Sequence, residues 1–534
     1  MTETSTEETS TPATPTDGAD EYDVIVLGGG PVGENAAQYA IEGTDLTAAI
    51  VERELVGGEC SYYACVPSKA LLRPLDVAEI SGDLEGLAAA ELRRDDLLAR
   101  RDTWVHGYDD ASQAEWAEGA GIAVVRGHGR LAGERAVEVT GDDGAVRRLR
   151  ARRAVIIATG SEPVVPSEYA EAEPWGSRDA TGVVEVPGSL VIIGGGVVAC
   201  EAATWMAGLG AQVTMLVHGA GLLSGQEPAA GEAVAEALRG RGVRIELGAQ
   251  VTACTRDDAA ATGLGRIHGG TVHVRAERKP EAADGNDADD QDRTIELDAD
   301  EILVATGRRP RLSDVGLDAV GLAPEDVLDG LGDGAIGTGG KDAGDPWLFA
   351  VGDASGEAPL THWGKYRARV VGQRIRAAAL AALAADGTRD ADDARGSAPE
   401  PPEEVPAVVP VPQVVFTDPQ VASVGLTAAA AREAGHDVAV AEVPFASATG
   451  AALVRDTPAG TATIVVDRAD RTLLGATFVG PECAELVHGA TIAIVGRVPV
   501  HVLRHAVPVF PASSELWLRL LEELPREMRR TPGA

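Results

Sequence analysis

Cys60 and Cys65 stand five residues apart in the segment GGECSYYACVPSK, where a helix is predicted to begin. Two thiols so close in sequence can carry reversible redox chemistry, passing between dithiol and disulfide. In a regular helix, Cα atoms at that spacing lie about 8.7 Å apart. A disulfide needs less than about 7 Å. The segment must therefore leave regular helical geometry if the two are to bond, and a strained bridge is easier to reduce. A helix start also lowers a thiol pKa and favours the reactive thiolate. Two buried, reduced cysteines are the plainer alternative. A metal site would need a second ligand pair nearby, which the sequence does not offer, so no metal is expected.

The elements that must position this pair follow from the rest of the chain. Its 534 residues suit about three domains. A hydrophobic content of 45% and a charged content of 24% allow several cores. No run of about 18 uncharged apolar residues occurs, so no membrane span is expected. The first twenty residues, MTETSTEETSTPATPTDGAD, have neither the basic region nor the apolar core of an export signal. They read as a disordered acidic tail. A cytoplasmic setting is expected, where close cysteine pairs are more often catalytic or metal-binding than structural. The net charge of −37 excludes nucleic acid as a partner, because phosphates would be repelled.

Two strand–turn–helix–strand units recur about 170 residues apart, YDVIVLGGGPVGENAAQYAIEG with TAAIVER, and SLVIIGGGVVACEAATWMAGLG with AQVTMLV. In the first, Gly28, Gly30 and Gly33 form GxGxxG. Gly28 permits the tight turn, Gly30 lets backbone approach a pyrophosphate, and Gly33 lets helix pack on strand. The helix N-terminus favours the phosphate charge. Glu52, at the end of the next strand, is placed to hold ribose hydroxyls. In the second unit, Gly194, Gly196 and Ala199 form GxGxxA. An acid at the end of the following strand would favour NAD, but Val217 and then His218 stand there. NADPH is therefore favoured over NADH, with His218 a candidate for its 2′-phosphate or an ordinary surface histidine.

The acidic run at 279–293 reads as an exposed loop, and residues 384–405 as a linker. Beyond it PQVVFTDPQ, ATIVVD and LLGATFVG read as strands of a mostly antiparallel sheet. AELVHGATIAIVG and SELWLRLLEEL read as helices.

The segment GGECSYYACVPSK resembles the redox motif of the class I pyridine nucleotide–disulfide oxidoreductases, which include dihydrolipoamide dehydrogenase, glutathione reductase, mycothione reductase and mercuric reductase. The resemblance runs from about Tyr22 to about Leu524. It includes ATGS at 158–161, ATGRRP at 305–310, LFAVGDAS, LTHWGKYRARVVG and FTDPQVASVGLT. It implies an α/β fold of two Rossmann-like dinucleotide-binding domains, for FAD and NAD(P), and a C-terminal α+β dimerisation domain. The expected division is FAD domain 21–161 and 303–383, NAD(P) domain 162–302 and interface domain 406–534. The resemblance implies that Cys65 sits against the flavin and Cys60 exchanges with substrate. Lys69 and Glu201 would lie near the flavin, and Asp353 would hold the ribityl chain. Gly127, His128, Thr159, Gly160, Ser161, Gly307 and Thr361 would belong to the cofactor sites. A homodimer acting on a small-molecule electron acceptor is implied.

One departure bears on the acceptor. Disulfide-reducing members end in a His-Pro segment followed by a Glu. Here, in VFPASSELWLRLLE, Pro511 and Glu515 match, but Phe510 replaces the histidine, and His505 lies five residues earlier. Glu515 is retained as a catalytic candidate. The leading expectation is a dihydrolipoamide dehydrogenase-like oxidoreductase using a disulfide, dithiol or other acceptor. A quinone or mercuric-type metal-ion reductase is the second, and a redox-sensing flavoprotein without turnover the third. Steady NAD(P)H oxidation with a panel of acceptors separates them.

Overall fold

The runs DVIVL and AAIV carry too little polarity to face water, and they become neighbouring strands buried on both faces. In the computed structural model, which describes residues 19–279, 293–329, 334–336, 346–385, 405–406 and 408–531, these are Asp20–Leu27 and Ala48–Glu52. They pair in parallel, Val26 opposite Ile50. Ile122–Arg126 extends the sheet beyond Ala48–Glu52. On the other side lies the long strand Val146–Ile157. Its second half also pairs in parallel with Leu348–Ala350, while its first half pairs with Ala136–Thr140 in an antiparallel meander. The helix Pro31–Ile41 covers this sheet and packs along Thr361–Ala385. Gly372 makes that packing close, since an added Cβ would lie 2.8 Å from Tyr39 Cβ.

The second parallel sheet runs Arg244–Leu247, Gln212–Val217, Ser189–Ile193, Glu301–Val304. An antiparallel three-stranded sheet, Ala249–Arg256, Val272–Arg278 and Thr294–Ala299, lies against it. Ser161–Pro163 and Arg308–Pro310 pair antiparallel where the chain crosses from one nucleotide unit to the other and back. A five-stranded antiparallel sheet with the helices Leu486–Val495 and Leu516–Glu523 forms the C-terminal unit.

Two expectations are corrected. PQVVFTDPQ is not one strand but two, Gln413–Val415 and Gln420–Gly425, because Pro419 has no N–H to give the ladder. The first strand begins at Asp20, inside the expected tail. The rest of that tail, the acidic loop at 280–292 and the linker at 386–404 lie outside the described residues. Among the described residues no helix is long and apolar enough to cross a membrane.

Candidate redox and dinucleotide sites

The cysteine segment breaks where the spacing argument requires it. A short helix, Gly58–Tyr62, carries Cys60. Tyr63 (φ −129°, ψ −3°) and Ala64 (φ −136°, ψ −90°) leave helical geometry, and a new helix starts at Cys65 and runs to Gly82. The two thiols, both reduced, are thereby brought within hydrogen-bonding contact. The break sits on the first glycine loop. Gly57 N–H donates to Gly29 O at 2.7 Å, and a Cβ on Gly58 would lie 2.7 Å from Gly30 Cα.

The thiols are not equivalent. The hydrogen bond from Cys60 pulls the Cys65 thiol down to about 6, against the opposing effect of burial, with further help from Thr361 and the Lys69 charge. The same contact and burial push Cys60 up. The shared proton therefore belongs to Cys60, and Cys65 is the thiolate. Its Sγ lies 3.5 Å from Thr361 Oγ1. Lys69, one turn along the same helix, donates to both carboxylate oxygens of buried Glu201, at 2.8 and 3.1 Å, and stands 4.8 Å from the Phe416 ring centre. Glu201 Oε1 also accepts from Phe416 N–H at 2.9 Å. One carboxylate thus ties the cysteine helix to the helix of the second glycine loop and to the C-terminal unit.

Beside the thiols runs a cavity lined by Gly28, Gly30, Glu52, Cys60, Thr159, Gly160, Ser161, Asp353 and Thr361. It continues along Gly28, Glu52 and Thr159 into a second chamber walled by Gly127 and His128. Glu52 is fixed there, accepting from Gly29 N–H and Glu54 N–H, both at 2.7 Å. Asp353 Oδ2 accepts from Ser161 Oγ at 2.5 Å. His128 Nε2 lies 3.0 Å from Asp314 Oδ2.

Residues 22–381 match the family described as pyridine nucleotide-disulphide oxidoreductase, and residues 411–520 match its dimerisation domain. The chain belongs to that family. It is an FAD-containing oxidoreductase that also uses a pyridine nucleotide. It is 32% identical to a dihydrolipoyl dehydrogenase of Chlorobaculum tepidum, covering 93% of this chain and 96% of that one. It is 30% identical to one from Halobacterium salinarum, covering 94% and 95%. The fold matches LpdA from Mycobacterium tuberculosis with a TM-score of 0.71 at 22% identity, covering 94% of this chain and 99% of that one.

The cavity fits FAD on three counts. First, the glycines are required. A Cβ on Gly28 would meet Ala158 O at 2.3 Å and one on Gly33 would meet Gly28 O at 2.0 Å, whereas Gly30 has nothing nearer than 3.9 Å. Second, Arg311 lines both chambers, and its buried Nε makes no hydrogen bond, with Glu162 Oε2 3.8 Å away. Burial and the neighbouring Arg53 charge push this guanidinium below its ordinary value, an imbalance that a pyrophosphate would relieve. Third, Glu59 Oε2 is buried without a donor and can accept from a hydroxyl.

Arg311 was not foreseen from the sequence, although it directly follows ATGRRP. Nor was Tyr63, which is stacked 5.5 Å from Tyr108, with Arg178 4.4 Å from its ring centre and paired to Glu54 and Glu59. Gly307, Val217 and Glu515 are among the expected site residues that line neither chamber. Gly307 stays on the crossover, its carbonyl taken by Val164 N–H. Val217 is buried under the second loop, so its side chain only walls that loop. Glu515 is buried within the C-terminal unit, accepting from Gly450 N–H at 3.0 Å and Ala512 N–H at 3.2 Å. Phe510 is 71% exposed on the same unit, beside Val509 and Val507.

Proposed function

We propose that this chain, acting as a homodimer, takes a hydride from NADPH and stores the electron pair in Cys60 and Cys65 before passing it to a small-molecule acceptor. The observation that carries this reading is the broken helix, which brings Cys60 and Cys65 into contact beside the cavity lined by Cys60 and Thr361. When bound, FAD supplies the hydride-accepting ring between nucleotide and disulfide. The balance is NADPH, a proton and the Cys60–Cys65 disulfide giving NADP⁺ and the dithiol.

The protein's part is to hold charges and protons. Glu52 would accept ribose hydroxyls, Asp353 would hold the ribityl chain, and Gly127 and His128 would border the adenine. Thr159, Gly160 and Ser161 close the floor. Lys69, fixed by Glu201, sets a positive charge beside the reacting edge and supports the Cys65 thiolate. Cys60, the higher-pKa thiol, faces the acceptor. Anaerobic NADPH titration tests the reading: two additional thiols per chain should become titratable, with a long-wavelength absorption band that Cys65→Ser abolishes. An unchanged thiol count would defeat it.

Phe510 favours a second specification, that the acceptor is a quinone or soft metal ion rather than lipoamide or glutathione disulfide. Opening a disulfide expels a thiolate, and a placed acid typically contributes about 10²–10⁴-fold to such a step. Phe510 supplies no proton, and Glu515 is already committed to two backbone donors. Phe510→His should raise disulfide turnover at least about tenfold, a small part of what a placed acid supplies, while quinone turnover changes little. Rapid lipoamide turnover by the unmodified enzyme would refute this specification.

A further inference from the structure

The end of the strand Gln212–Val217 forms the rim of the second glycine loop. A Cβ on Gly195 would lie 2.7 Å from Val217 Cγ1, and Leu223 N–H donates to Gly195 O at 2.8 Å. Gly196 has open space on its Cβ side. A dinucleotide whose phosphates lie on this loop brings its adenosine ribose to residues 217–219. No acid stands there. Instead, Lys279 Nζ donates to His218 Nε2 at 2.5 Å, and both side chains are exposed.

Lys279 comes from outside the strand–helix–strand unit, just past the strand Val272–Arg278 of the antiparallel sheet. Two backbone hydrogen bonds hold it in place. Lys279 N–H donates to Gly248 O at 2.9 Å, and Gly248 N–H donates to Gly219 O at 3.0 Å. The acid nearest in register is Glu246, which sits opposite Leu216. Arg244 and Arg278 bracket it, each at 2.6 Å, and hold its carboxyl below the usual carboxylate range. Among the described residues, Lys279 is the cation that reaches His218 at this rim.

We propose that Lys279 selects the phosphorylated nucleotide: its ammonium, with His218 beside it, takes the 2′-phosphate of NADPH. This rests on the reading of the chain as an NADPH-using oxidoreductase and names the residue responsible. The 2′-phosphate of NADPH replaces a hydroxyl in NADH, so only NADPH gains the ion pair. A cation–phosphate pair of this kind is worth about 10–100-fold in affinity.

The test uses the FAD-loaded enzyme with NADPH and NADH side by side, and adenosine 2′,5′-bisphosphate and 5′-AMP as competing probes. Lys279→Ala should lower kcat/KM for NADPH about 10–100-fold and leave NADH within about twofold. Inhibition by the bisphosphate should weaken by a similar factor and that by 5′-AMP should not. Lys279→Arg should retain most of the preference, because it keeps the charge. If the unmodified enzyme uses NADH as well as NADPH, the underlying cofactor reading fails. If it prefers NADPH and Lys279→Ala leaves the preference unmoved, the assignment to Lys279 alone fails. Equal loss with both nucleotides, at unchanged FAD content, also overturns it, since that marks a structural role.

Discussion

The two glycine loops share one backbone device and differ in what surrounds it. In both, the first glycine sits at positive φ, +106° at Gly28 and +124° at Gly194. In both, an added Cβ would strike the carbonyl of an alanine leaving the neighbouring strand, Ala158 O at 2.3 Å and Ala305 O at 2.5 Å. The residues around the loops then diverge. At the first loop Glu52 is bonded to Gly29 N–H and Arg311 lines the cavity. At the second, Val217 is buried and the polar groups are His218 and Lys279. A shared turn with different rims is what two sites for different nucleotides require.

Blocking each turn in isolation separates the two sites. Gly28→Ala should yield colourless protein, and Gly194→Ala should stay yellow while losing reduction by NADPH. Strained backbone of this kind costs on the order of 1–3 kcal/mol, which is about tenfold to a hundredfold in affinity, and the carbonyl clash adds to it. Flavin absorbance per chain and the rate of NADPH-dependent flavin reduction measure the two effects separately. If Gly194→Ala lost flavin as readily as Gly28→Ala, the loops would not be independent sites.

A smaller effect should come from the rim of the first loop. Arg311→Met keeps much of the side chain's bulk and removes the charge. It should weaken FAD about tenfold, as expected for one charge-assisted hydrogen bond. The loss should be read by flavin release on dilution and by the FAD-dependent gain in Tm. Unchanged retention would mean that the phosphates lie on backbone N–H groups alone.

What the sequence made legible is what is local. The glycine spacings, Glu52 at the end of the next strand and the cysteine pair all lie within short segments whose geometry their own residues set. The need for a break between Cys60 and Cys65 followed from helix dimensions, and it occurs at Tyr63 and Ala64. Arg311 and Lys279 were not legible, because distant pairings place them. Arg311 reaches the first loop through its backbone bond to Gly160, and Lys279 reaches the second through Gly248 and Gly219. The absence of an acid at Val217 was visible; the cation replacing it was not. Glu515 was readable as part of a motif, but its backbone partners, Gly450 and Ala512, appear only in the folded chain.

The loops also differ in their hold on the dithiol. The first loop is bonded directly to the cysteine segment, through Gly57 and Gly29. The second reaches the cysteine helix through the Glu201–Lys69 ion pair and through the packing of Leu75 against Gly208, where an added Cβ would lie 2.4 Å from the leucine side chain. In the reduced enzyme the hydrogen bond from Cys60 holds the Cys65 thiol below the ordinary thiol range, with Thr361 and Lys69 helping and burial opposing. The thiolate band should therefore be full at pH 8 and fade as pH falls through about 6. Glu201 acts against the thiolate, as a nearby like charge. Glu201→Gln removes that charge and leaves Lys69 less neutralised, so the midpoint should move further down and the band should persist to lower pH. Spectra of the dithionite-reduced protein across pH 4.5 to 8 would follow both, without requiring nucleotide turnover. A midpoint that moves up in Glu201→Gln would show that the carboxylate matters mainly by holding Lys69 in place, so that losing the anchor outweighs losing the repulsion. The direction of this one shift separates a second loop that acts on the dithiol through charge from one that acts by positioning.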